Sequence, residues 1–103
     1  MASGLLGVAD LTASTNTTLY TVPTAKTAAF SINFCNRGLT TVTVRLAICA
    51  SGTPTTAEYL IYDVAVAGNS ALERTGLLAQ ADKLVVVYAN AANISATVYG
   101  YEE

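Results

Sequence analysis

The side chains able to do chemistry are few, and histidine, the commonest general base and metal ligand, is absent. The two cysteines, Cys35 and Cys49, lack the histidine partners that a Cys-His dyad or a mixed zinc site requires. The carboxylates Asp10, Glu58, Asp63, Glu73 and Asp82 are scattered, each near a loop or a strand end. A glycosidase needs two carboxylates across one bond, and no spacing here singles out such a pair. Gly4 and Gly7 are isolated and no lysine follows them as a phosphate cradle demands. Two sequons, Asn16-Thr17-Thr18 and Asn93-Ile94-Ser95, read as unmodified loop residues. Glu102 and Glu103 keep the chain end in water. The inventory yields no catalytic residue, no cofactor site and no metal site, so a non-enzymatic protein is expected.

Charge narrows the partners further. Five cations against seven acids give a net charge of −2, and charged residues make up only 12% of the 103 residues. A nucleic-acid grip needs a clustered basic surface, which is missing. The longest strongly apolar run, 84–89, is far short of the ~20 residues of a membrane-spanning helix. No basic residue precedes Lys26, so the charged front of an export signal is not seen. Neither nucleic acid nor membrane is an expected partner.

The elements that must position these residues are strands. Apolar residues alternate with polar ones along nearly the whole chain, clearest in Val42, Val44, Leu46 and Ile48 against Thr41, Thr43 and Arg45. Phe30, Ile32 and Phe34 alternate in the same way. The intervening Asn36-Arg37-Gly38-Leu39 predicts a hairpin turn. Pairing across that turn keeps the two cysteines far apart, so two free and mostly buried thiols are expected. Further strands are expected over 5–12, 18–22, 59–66 and 71–75, with one helical turn over 77–81. A last hairpin joins 83–89 to 94–101 around Asn90-Ala91-Ala92-Asn93. About eight short strands at spacings of roughly 8–12 residues predict an all-β, antiparallel, jelly-roll-like β-sandwich. The length leaves room for one core, so residues 1–103 are expected to form a single domain, with 1–10 an edge strand or an interface arm.

Strand 83–89 breaks the half-buried pattern, because Leu84-Val85-Val86-Val87-Tyr88 is apolar on both faces. Val85 and Val87 are assigned to the core and Leu84, Val86 and Tyr88 to the outer side. The cover is either a loop of the same chain or another subunit. The scarcity of charge favours a subunit, since interface centres are depleted in charge and enriched in tyrosine. Six tyrosines against two phenylalanines fit a surface that is half apolar and half wet, although tyrosine also simply favours strands. Tyr99 and Tyr101 are expected to point outward beside Tyr88. The predicted interface is therefore Leu84, Val86, Tyr88, Tyr99 and Tyr101, with 2–10 as a second contact segment.

The stretch Leu19-Tyr20-Thr21-Val22-Pro23-Thr24-Ala25-Lys26-Thr27, followed by Ser31-Ile32-Asn33-Phe34-Cys35-Asn36-Arg37-Gly38, resembles small virion structural proteins of tailed bacteriophages. These carry a "YTVPAGK" segment and then a strand ending in "CNRG". Residues 88–95 are similar to their final hairpin, and the likeness spans roughly 18–101. Thr24-Ala25 departs from the usual Ala-Gly. The resemblance implies a β-sandwich made in the host cytoplasm and carried on the virion as a head decoration, neck or tail accessory protein. A homotrimer bound to a capsid, tail or neck surface is the expected assembly. The alternative is a carbohydrate-binding receptor-recognition module of a tail fibre or baseplate, with tyrosines stacking on sugar rings; the absence of tryptophan weighs against it.

Overall fold

Alternation sorts the residues of each inner strand onto two faces. Along β3 (Ala28–Asn36) every second residue, from Ala28 through Phe30, Ile32 and Phe34 to Asn36, is buried, and those between are half-buried. The computed structural model describes residues 3–103. The other strands are β1 (Ser3–Asp10), β2 (Thr17–Thr21), β4 (Val42–Cys49), β5 (Tyr59–Val66), β6 (Ala71–Ala79), β7 (Leu84–Ala89) and β8 (Ile94–Glu102). A 3-10 turn, Thr56–Glu58, precedes β5. The expected helical turn over 77–81 is absent. Instead β6 runs on to Ala79, because Gly76 takes a left-handed φ of 74° that lets the strand bend without ending.

The strands form two antiparallel four-stranded sheets, ordered β1-β8-β3-β6 and β2-β7-β4-β5. First pairs with last throughout: β1 with β8, β2 with β7, β3 with β6, β4 with β5. A long antiparallel ribbon rolled up in this way is a jelly roll. Phe30, Ile32 and Phe34 from one sheet meet Val44, Leu46, Val85 and Val87 from the other in a shared core. Each such Val or Leu contributes roughly 1.5–3 kcal/mol on burial.

Both hairpins expected from sequence are corrected. β3 pairs with β6 and β8 and not with β4, and β7 pairs with β2 and β4 and not with β8. The chain passes between sheets at 36–41 and again at 90–93, since alternation decides which face a side chain takes and not which strand lies beside it. The two arches are tied together at one end of the sandwich. Asn36 Nδ2 donates to the carbonyls of Thr40 (2.8 Å) and Val66 (2.9 Å), while its Oδ1 accepts from Gly38 N–H at 2.9 Å. Arg37 N–H donates to the Asn93 carbonyl at 2.8 Å. The two cysteines lie in different sheets and are free, although Cys35 is half-buried on an outer face and only Cys49 is buried.

All four edge strands, β1, β2, β5 and β6, pair with a register shift, whereas the central ladders β3·β8 and β4·β7 run without one. Bulged edges resist strand-to-strand addition of another chain.

Candidate functional site

The outer side of the β2-β7-β4-β5 sheet carries three of the expected contact residues. Val85 and Val87 point into the core, so Leu84, Val86 and Tyr88 point outward, as the pattern requires. Val86 is nonetheless only 2% exposed. It packs with Ala47, its register partner on β4, and with Cys49, and Tyr59 and Leu84 close over the three. The expectation that Val86 is a contact residue is thereby corrected, because the chain covers this side of the ribbon itself.

Segment 50–58 is fastened beside that cluster. Glu58 accepts from Thr55 N–H at 2.8 Å and from Ala50 N–H at 3.2 Å. These bonds favour the carboxylate and hold Glu58 below its ordinary value, with Thr55 N–H the largest influence. The Cys49 thiol donates to the Ser51 carbonyl, and burial pushes its pKa up.

Next to this sealed patch stands a charged cluster. Arg45 is paired across the ladder with Tyr88. On its other side the β4·β5 register jumps from Val44↔Val64 to Leu46↔Ile61, so Tyr62 and Asp63 together oppose Arg45. Asp63 takes a left-handed φ of 53° at this bulge. Both side chains therefore reach the same face, which regular alternation forbids. Asp63 accepts from Arg45 Nε at 2.7 Å and from Nη2 at 3.3 Å. The guanidinium sits between the rings of Tyr62 and Tyr88, 4.3 Å from each centroid. The Asp63 hydrogen bond is the main reason the Arg45 pKa is raised. Tyr62 also meets Tyr59 edge to face, with centroids 4.9 Å apart, and the two rings with Pro54 and Thr56 line an open cleft of about 450 Å³. Sequence reasoning placed Arg45 on the outward side of its strand but missed Tyr62 and Asp63 as its neighbours. A one-residue bulge leaves no period to detect.

The outer side of the β1-β8-β3-β6 sheet is different. Register sets Tyr99 between Leu5 and Ser31, and Tyr101 between Ser3 and Ala29, with Leu78 beyond Ala29. Leu5, Leu78 and Tyr101 are 64%, 69% and 45% exposed. Between the larger side chains runs a shallow groove of about 440 Å³, with Ala29, Ser31, Gly76 and Gly100 among its lining residues. Gly100 is required there, since a Cβ would collide with the Ala29 backbone. Tyr99 donates its hydroxyl to Glu73 at the side of this face.

Tyr99 and Tyr101 thus share a face with each other but not with Tyr88, which belongs to the opposite sheet. The expected five-residue surface is split in two because the last connection crosses the sandwich. Residues 3–10 form edge strand β1, while the start of the expected contact segment, Ala2, lies outside the described residues.

The scattered carboxylates each meet a different partner. Asp10 pairs with Arg37 at 2.5 Å, Asp63 with Arg45 and Glu73 with Tyr99, while Asp82 accepts from Thr24 Oγ1 at 2.8 Å. Among the described residues no three His, Cys, Asp or Glu side chains gather where they could hold a metal ion. Comparison with protein-family models, curated proteins and solved structures finds no match to this chain, so its two outer faces carry the functional reading.

Proposed function

We propose that the chain is a non-enzymatic structural protein of a tailed-phage virion. In this reading it assembles with copies of itself, as a homotrimer, through the outer side of the β1-β8-β3-β6 sheet, and the assembly seats on a capsid, tail or neck surface. One observation carries the reading: Leu5, Leu78 and Tyr101 stand in solvent on one face, and Leu78 and Tyr101 border an uncharged groove on it. Apolar exposure of this kind marks association sites. The bulges on all four edges support face-to-face packing over strand addition. The likeness of residues 18–101 to small virion proteins supplies the setting.

Association would bury roughly 800 Å² on each partner, and a repeating lattice adds avidity without strong single contacts. The test is sedimentation velocity of the purified chain over a wide concentration range, with Leu78→Asp as comparison, followed by co-sedimentation with purified phage particles. A discrete oligomer that reverts to single copies in Leu78→Asp, and particle binding that falls with it, is the expected result. A single copy at every concentration, or an oligomer indifferent to Leu78→Asp, contradicts the reading.

A further inference from the structure

The Arg45 cluster on the opposite sheet is more elaborate than an edge strand needs, and its free valences have a definite chemistry. Arginine carries five N–H donors, of which Asp63 takes two, one from Nε and one from Nη2. The remaining donors lie in the guanidinium plane, and the Tyr62 and Tyr88 rings each stand 4.3 Å from its central carbon. The carboxylate of Asp63 keeps unused lone pairs. Both groups stay open at the surface, with side-chain exposures of 24% for Arg45 and 43% for Asp63. Donors and acceptors are therefore presented side by side, on a pair whose charges cancel. A free anion meets Asp63 and a free cation meets Arg45, so neither is favoured. Adjacent hydroxyls, each able to donate and accept, match both groups at once.

The neighbouring wall suits the rest of such a molecule. Tyr59, Tyr62, Pro54 and Thr56 border a cleft of about 450 Å³, within the ~300–1,000 Å³ range of small-molecule sites. Tyr62 is 56% exposed, an unusual investment for a ring already engaged by Arg45 and Tyr59. Its apolar surface with a polar tip can take the C–H face of a ring whose hydroxyls turn toward the Arg45–Asp63 pair. The parts are also held in place beforehand, by the β5 bulge on one side and by the Glu58-pinned segment 50–58 on the other. Such preorganisation limits the ordering cost of binding. We propose that the Tyr59–Tyr62 cleft beside the Arg45–Asp63 pair binds a neutral carbohydrate. This site lies on the other sheet from the association face, and each proposal stands without the other.

The test uses the methyl glycosides of glucose, galactose, mannose and N-acetylglucosamine, titrated singly into the full chain while tyrosine ring signals are followed by NMR. At least one glycoside is expected to give saturable shifts at Tyr59 and Tyr62 and none at Tyr101. Tyr62→Ala should weaken that binding by about tenfold or more, equal to roughly 1.4 kcal/mol. Asp63→Asn keeps a residue type that tolerates the left-handed backbone and should weaken it as well, which guards against a Tyr62→Ala chain that does not fold. Leu78→Asp should leave it unchanged, separating this site from the association face. The proposal is overturned if no glycoside gives saturable shifts, if the shifts lie away from the cleft, or if both cleft variants bind as the parent does. It is also overturned if glucose 6-phosphate binds the cleft more tightly than neutral glucosides.

Discussion

On the outer side of the β2-β7-β4-β5 sheet the apolar residues Ala47, Cys49 and Val86 are sealed by Tyr59 and Leu84, and what remains open is a polar cluster around Arg45. On the β1-β8-β3-β6 sheet no such cover exists among the described residues, and Leu5, Leu78 and Tyr101 remain in solvent. A strand that is apolar on both sides therefore does not by itself mark a subunit contact. Nine residues between β4 and β5, 50–58, return beside the cluster, whereas the connection from β6 to β7 leaves its sheet at once. The difference lies in the strand residues that close over the cluster, Tyr59 at the start of β5 and Leu84 at the start of β7.

The strongest way to break this contrast is to place the same charge on each face. Val86→Asp buries a carboxylate in an apolar cluster and should destabilise the single chain by about 3 kcal/mol or more. Leu78→Asp, on an open face, should alter chain stability by no more than about 0.5 kcal/mol. Urea unfolding of the two variants at low concentration measures both, and equal losses would erase the distinction between the faces.

The contact set inferred from sequence had one register right and one topology wrong, for separate physical reasons. Period-two alternation is a local property, so the inward Val85 and Val87 and the outward Arg45 were legible from their neighbours alone. Strand partnership is not local. Asn36, Gly38 and Asn93 carry the marks of tight turns, yet the same residues serve arches between sheets when the amide of Asn36 finds Val66 across the sandwich. The Tyr62–Asp63 bulge was illegible because it is an exception to the very period used to read the strand.

The stretch 19–27 does visible work in the fold. Val22 is fully buried, and the Tyr20 hydroxyl donates to Glu102, tying β2 to the far end of β8. Burial, aided by that carboxylate, raises the Tyr20 pKa strongly. Ala25 adopts a left-handed φ of 65° without being glycine. An L-residue held there costs about 1 kcal/mol, so Ala25→Gly should stabilise the chain by roughly 0.5–1 kcal/mol in thermal or urea melts. A loss of stability would mean that the turn does not need the left-handed conformation.

A smaller effect sharpens the picture of the sealed face. The Glu58 carboxylate has its folded pKa below the ordinary 4.5, so its contribution is fully present above that value and is lost as pH falls through the folded pKa. The amide signals of Ala50 and Thr55 should therefore titrate with a midpoint below 4.5, and Glu58→Gln should abolish that titration. A midpoint at or above the ordinary glutamate value would mean that these amides do not hold the carboxylate.

The most direct test of the central claim, that the molecule associates through one sheet and leaves the other free, is hydroxyl-radical footprinting of the same sample dilute and concentrated. Leu78 and Tyr101 should lose reactivity as the protein is concentrated while Tyr62 keeps its own. Protection of Tyr62 with Leu78 and Tyr101 still reactive, or no change at any of the three, would contradict the account.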